Sequence, residues 1–116
     1  MRKMDGVIAL LAASAVVQYR VVAIDANKKV GYPASGAIAL GVTLGAASAE
    51  DSVDVQYSDV AEIEVGTAGV TLNSYVKAGT DGRIVTASAG DKIVGVPLES
   101  GVVGDIIPVL LINATA

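Results

Sequence analysis

A run of acidic side chains is the first feature of this chain that could do chemistry. Six carboxylates fall within fifteen positions: Glu50, Asp51, Asp54, Asp59, Glu62 and Glu64. Ca²⁺ binds clustered carboxylates, but an EF-hand loop needs alternating Asp or Asn, a central Gly and a terminal Glu, which this stretch lacks. Most of these residues instead occupy every second position, as on the solvent side of a β-strand. The pattern favours a solvated strand face, with a cation at an oligomer axis as the alternative.

Other residue types give little support for catalysis or cofactor attachment. The chain has no His and no Cys, which removes the usual general base, the thiol nucleophile and the common zinc ligands. The turn Thr80-Asp81-Gly82-Arg83 is similar to the hairpin of lipoyl and biotinyl carrier domains, but no Lys stands at its tip, and Lys77 precedes it. We interpret it as a Gly-containing hairpin turn. We therefore expect no enzyme activity, no bound metal and no cofactor.

The charge balance argues against nucleic acid as a partner. Eight Lys and Arg stand against twelve Asp and Glu, for a net charge of −4. Phosphate contacts need clustered basic side chains, and only Arg2-Lys3 and Lys28-Lys29 are adjacent. The apolar run at residues 7–13 is too short to span a bilayer. We expect neither nucleic acid nor a membrane as a partner.

An internal repeat describes the organisation of the chain. A segment of the chain occurs twice, 54 positions apart. The first copy reads Gly41-Val42-Thr43-Leu44, then six residues, then Asp51-Ser52-Val53-Asp54-Val55. The second copy reads Gly95-Val96-Pro97-Leu98, then six residues, then Asp105-Ile106-Ile107-Pro108-Val109. The register also aligns Gly36 with Gly90. The repeat predicts two similar β-units at residues 20–57 and 74–111.

Composition and turn spacing predict an all-β fold. The chain is 53% apolar but has no Phe and no Trp, so its core must use Val, Ile, Leu and Ala, which favours strands. Short strands are predicted with turns every eight to twelve residues, a spacing typical of a compact β-barrel or β-clip. Gly41 within a strand indicates a bulge or a close backbone approach. The nearly continuous apolar run at residues 106–112 predicts a strand covered on both faces, with Pro108 at an edge or a bulge.

The first seventeen residues have three interpretations. Arg2-Lys3, the apolar run and Ala13-Ser14-Ala15 imitate a secretory signal cleaved after Ala15, although Asp5 and Gly6 interrupt it. The segment also fits an extended N-terminal arm that becomes ordered on a neighbouring subunit, or a first strand or helix of the domain's own core. We therefore divide the chain into an arm or first element at residues 1–17 and a single β domain at residues 18–116.

The predicted strands carry a resemblance to a known family. A Gly-Val-x-Leu strand leads through small residues to an alternating strand, and the chain closes with Gly95-Val96-Pro97-Leu98-Glu99 and Gly104-Asp105-Ile106-Ile107-Pro108-Val109-Leu110-Leu111. This succession resembles the small decoration (cement) proteins of tailed bacteriophage capsids, especially those ending in G-x-A-L-E…G-D-x-x-x-V-L. The likeness covers residues 36–112, and Pro97 replaces the expected Ala.

The resemblance implies a β-tulip-like domain that stabilises a virion. Such a protein binds the major capsid protein on the outer surface of the mature icosahedral shell, at three-fold and quasi-three-fold positions, as a homotrimer or less often a dimer. On this hypothesis the capsid-contacting residues are Arg2, Lys3, Asp5, Val7, Ile8, Leu10 and Leu11. The alternative function is a secreted or surface-displayed bacterial β-module with a cleaved signal. We also expect at least one of the four tyrosines at a subunit interface.

Overall fold

The protein is described by a computed structural model that covers residues 6–115, with side chains for residues 6–112. These residues form two consecutive β-units. Unit 1 contains β1 (Val7–Ala12), β2 (Val21–Ile24), β3 (Lys29–Gly31), β4 (Gly41–Thr43) and β5 (Ser52–Gln56). Unit 2 contains β6 (Val60–Glu64), β7 (Val76–Ala78), a 3₁₀ turn (Thr80–Gly82), β8 (Ile84–Thr86), β9 (Lys92–Pro97) and β10 (Ile106–Thr115). The all-β prediction is confirmed.

The two units share one topology. Unit 1 is a closed barrel in the order β1-β3-β2-β4-β5, and unit 2 is a five-stranded sheet in the order β6-β10-β9-β7-β8. Apart from the pairing that closes the barrel, each strand of unit 2 therefore has the neighbours of its counterpart in unit 1. The parallel β1–β3 pairing that closes unit 1 has a counterpart in the single parallel bridge between Val65 and Ile84.

Backbone detail repeats between the units as well. The isolated bridge between Val16 and Ala47 recurs 54 positions later between Val70 and Gly101. The left-handed residue Tyr19 (φ 66°) has its counterpart in Asn73 (φ 69°). The equivalence also reaches the first strand, at an offset of 53, because β1 pairs with β5 as β6 pairs with β10. The two units thus share backbone detail as well as strand order, and the equivalence extends upstream of residue 20.

Gly41 and Gly95 occupy equivalent places where backbone passes close to backbone. A Cβ at Gly41 would meet the carbonyl oxygen of Gln56, and a Cβ at Gly95 would meet that of Leu110. Only a residue without a side chain fits such an approach. The close approach predicted at Gly41 is therefore present in both units.

Residues 7–12 form a strand of the sheet. β1 is hydrogen-bonded antiparallel to β5 along five residue pairs and parallel to β3. Ala12 and Val16 are buried in the core of unit 1. This part of the N-terminal segment is the first element of the domain rather than an extended arm. Cleavage after Ala15 would remove β1 and open the barrel.

Aliphatic side chains fill two cores. The core of unit 1 contains Ala12, Val16, Val22, Val30, Val53 and Val55. The core of unit 2 contains Ala61, Ile63, Val65, Val70, Val76, Ala78, Ile84, Val94, Ile107 and Val109, together with Val21 and Val42 from unit 1. The second core therefore joins the units, because two strands of unit 1 contribute their outer faces to it.

Two expectations for β10 were wrong. β10 lies between β6 and β9, so Pro108 is not on an edge strand, and the irregularity in its pairing falls between Leu111 and Ala114. The Leu98 N–H donates to the Pro108 carbonyl at 3.0 Å, so the Pro108 nitrogen also faces β9, which ends at Pro97. The missing donor is tolerated there because the ladder ends at that position. Ile106 and Leu110 are 43% and 41% exposed, so only one face of β10 is covered.

Candidate functional site

The predicted capsid-contacting residues fall into three groups. Arg2, Lys3 and Asp5 lie outside the described residues. Ile8 and Leu10 alternate with Val7 and Leu11 along β1, and the first two pack against the core of unit 1. Leu11 is 44% exposed. β1 presents outward side chains to a partner, and its backbone pairs with β5 along one edge and with β3 at Leu11 and Ala12 on the other.

The acidic stretch is divided between ion pairs and solvent. Glu50 accepts hydrogen bonds from the Lys29 ammonium at 2.7 and 2.9 Å, while Asp54, Asp59 and Glu62 are exposed. Residues 6–115 contain no group of three or more acidic residues that could hold a metal ion. The strand-face interpretation holds for Asp54, Glu62 and Glu64, which lie on β5 and β6, whereas Glu50, Asp51 and Asp59 lie in the turns before those strands.

Glu64 also connects the two units. Its carboxylate pairs with Arg20 of unit 1 at 3.3 Å and with Arg83 of unit 2 at 2.9 Å. Arg20 also donates to the Asp81 carbonyl at 3.1 Å. Sequence analysis missed this network, since its members are 44 and 19 positions from Glu64 and no local pattern relates them.

Thr43 is a buried polar residue at the same junction. Its hydroxyl donates to the Val17 carbonyl at 2.6 Å and accepts from the Arg20 N–H at 3.1 Å. These bonds satisfy the hydroxyl and fix the backbone that carries Arg20. The Glu64 N–H donates to the Tyr19 carbonyl at 2.9 Å, so backbone and side chains together hold unit 1 against unit 2.

The outer face of unit 2 carries an uncharged row of side chains that we call the outer stripe. Val60 lies opposite Leu110, and Leu110 lies opposite Val96. The pairing of Val76 with Gly95 places Tyr75 opposite Val96. Residues directly opposite one another share one face of a sheet, so Val60, Leu110, Val96 and Tyr75 cross the sheet in a line.

The outer stripe is accessible. Val60, Leu110 and Tyr75 are 46%, 41% and 50% exposed, and Leu98, which follows Val96 on the same face, is 50% exposed. Leu72, Val102 and Val103, in loops of the same unit, are exposed as well. Contiguous apolar surface of this kind is typical of an interaction site. Sequence analysis missed it because it predicted that both faces of β10 would be covered.

The acidity of Asp91 is shifted by its contacts. Its carboxylate accepts the Ser88 N–H at 2.8 Å and pairs with the Lys77 ammonium at 3.2 Å. The hydrogen bond from Ser88, followed by the contact with Lys77, holds the Asp91 pKa below its ordinary value of 3.8. Both contacts stabilise a loop and create no acid–base pair.

None of the helical segments in residues 6–115 has the length and apolar content needed to cross a membrane.

Fold and surface together define a two-unit all-β domain that presents an apolar stripe. No protein-family model and no curated protein sequence matches the chain. Among solved structures, the chain is similar to the head fiber gp8.5 N base of bacteriophage phi29, with a TM-score of 0.79 and 16% sequence identity. The match covers 95% of this chain and 96% of that one. At this identity the likeness establishes a shared fold.

Proposed function

We propose that this chain is a structural protein of a bacteriophage virion that binds the outer surface of the mature icosahedral capsid and stabilises it. The observation that carries the proposal is the fold shared with a phage head fiber base along nearly the whole length of both chains. The sequence resemblance to capsid decoration proteins over residues 36–112 points to the same class of virion protein.

The proposed sites are the three-fold and quasi-three-fold positions of the shell, where the major capsid protein is the partner. Self-association, as a homotrimer or a dimer, is part of the proposal. A protein that binds only the mature lattice stabilises that lattice by mass action. An oligomer that contacts several capsid subunits together needs only modest affinity at each contact.

The set of side chains proposed to contact the capsid is smaller than the seven residues predicted from the sequence. Arg2, Lys3 and Asp5 precede β1 and remain candidates. Leu11 and Val7 remain candidates because they face outward, whereas Ile8 and Leu10 pack against the core of unit 1. The chemical character of the proposed contact is therefore a short charged segment followed by two outward apolar side chains.

Pelleting with capsid shells tests this proposal. Mature shells of the accompanying major capsid protein are mixed with wild-type protein, Lys3→Glu or Lys28→Glu, and the bound fraction is measured. Lys3→Glu should weaken binding about fivefold, as expected for loss of an ion pair worth ~1 kcal/mol. Lys28→Glu changes the charge equally at an exposed turn and should bind like wild type. Failure of the wild-type protein to pellet with shells would contradict the proposed function, and equal binding by both variants would contradict the assignment of Lys3.

A further inference from the structure

The internal repeat provides a comparison for the outer stripe. In unit 1, the row equivalent to Tyr75, Val96, Leu110 and Val60 consists of Val21, Val42, Gln56 and Val7, paired in the same way. Val21 and Val42 are fully buried because unit 2 covers them. Their counterparts Tyr75 and Val96 have no third unit over them within the described chain, so one of two equivalent faces is covered and the other is open.

The outer stripe also lacks the charge that stands at the end of its counterpart in unit 1. Arg20, which precedes Val21 and pairs with Glu64 of unit 2, has Ser74 as its counterpart before Tyr75. The outer stripe itself contains no charged residue, and the outward side chains of Glu62 and Lys77 flank it, two positions from Val60 and Tyr75. An uncharged apolar row is complementary to a copy of itself, whereas a row of like charges repels its copy.

A second copy cannot pack its unit 1 on the outer stripe in the way that unit 2 packs on unit 1 within the chain, because the contact is sterically blocked. At that junction Gly82 approaches unit 1 so closely that a Cβ would lie 2.5 Å from the Val21 carbonyl oxygen and 2.7 Å from Cδ1 of Tyr32. The residue equivalent to Gly82 in unit 1 is Lys28. Its long side chain prevents unit 1 of another copy from covering the outer stripe in the same geometry.

We propose that the outer stripe of unit 2 is the surface through which this chain binds a second copy of itself, stripe against stripe around a symmetry axis. Within the chain, the equivalent row of unit 1 is covered by a second β-unit. Because Lys28 prevents unit 1 of another copy from covering the outer stripe in that geometry, we infer that the stripes of two copies contact each other. Tyr75, at one end of the stripe, is a residue type enriched in interfaces. The inference rests on the self-association part of the proposed function and requires no capsid.

The equivalent positions Leu98 and Leu44 provide a matched pair of variants. Both are Leu and both are exposed, at 50% and 42%, but only Leu98 adjoins the outer stripe. The masses of wild type, Leu98→Glu and Leu44→Glu are measured by sedimentation equilibrium across a concentration series, with circular dichroism to verify folding. We expect an oligomer for wild type and Leu44→Glu, and an about tenfold or greater rise in the dissociation constant for Leu98→Glu, because a charge would be buried in the interface.

Three results would overturn the inference: a wild-type monomer at all concentrations, an unchanged oligomer in Leu98→Glu, or equal weakening in both variants. If Leu98→Glu does not fold, Tyr75→Ser replaces it, with the same outcomes. The assay contains no capsid, so failure here refutes the self-association surface, while failure to pellet with shells refutes capsid binding.

Discussion

At the scale of single residues, the fold depends on places where a side chain is absent or held by specific hydrogen bonds. Gly41 and Gly95 allow two strands to pass in close contact, once in each unit. Thr43 and Glu64 place polar groups at the junction between the units and satisfy them there. The glycines were recognisable from sequence because they interrupt strand patterns, whereas the partners of Glu64 were not, since they are distant along the chain.

Gly41→Ala should destabilise the protein by ~1–3 kcal/mol, the usual cost of forcing extra atoms into a packed site. The added methyl group would meet the backbone carbonyl of Gln56, which cannot move aside as a side-chain end could. Gly45→Ala is the control, because a Cβ there meets nothing within 4 Å and should change stability by less than about 0.5 kcal/mol. Urea denaturation measures both, and equal stability of the two variants would refute the close approach.

Asp91 should contribute pH-dependent stability. Its pKa is lowered in the folded protein, so the contribution is present above the ordinary pKa and is lost as the pH falls through the folded value. Wild type should therefore be more stable than Asp91→Asn at pH 7, and the difference should shrink as the pH falls below 3.8. Denaturation at pH 7 and at pH 3 measures the difference. A gap of the same size at both pH values would contradict this role of Asp91.

At the scale of elements, sequence predicted the strands after residue 18 better than the strand before it. In β6 the outward positions Glu62 and Glu64 make the alternation visible. In β1 the outward positions Val7, Ala9 and Leu11 are apolar, so no period of two can be read and the segment imitates a signal sequence. The open face of β10 was missed for a related reason, since a continuous apolar run does not reveal that one side lacks a partner.

A chain beginning at Val16 should lose the barrel of unit 1. Without β1, residues of β5 lose a ladder of five pairs and β3 loses its parallel partner. Amide hydrogen exchange in Ser52–Gln56 should accelerate strongly, while a chain beginning at Gly6 should keep the protection of the full chain. Unchanged protection in the shorter chain would show that β1 is dispensable and would favour the secreted β-module with a cleaved signal.

At the scale of the whole molecule, the duplication gives one chain two barrel-like units with unequal outer faces. Unit 2 covers Val21 and Val42 on the outer face of unit 1, whereas the outer stripe of unit 2 is open and apolar. The sequence repeat predicted the duplication, but which face remains open follows only from the way the units pack.

The central claim is that this protein binds the outside of a mature phage capsid, and imaging decorated shells tests it most directly. Mature shells are incubated with the purified full-length protein and reconstructed by cryo-electron microscopy beside undecorated shells. We expect additional density of the size of this two-unit domain on the outer surface, at the three-fold and quasi-three-fold positions. Identical reconstructions at saturating protein concentration would contradict the claim, and density confined to other positions would contradict the proposed lattice sites.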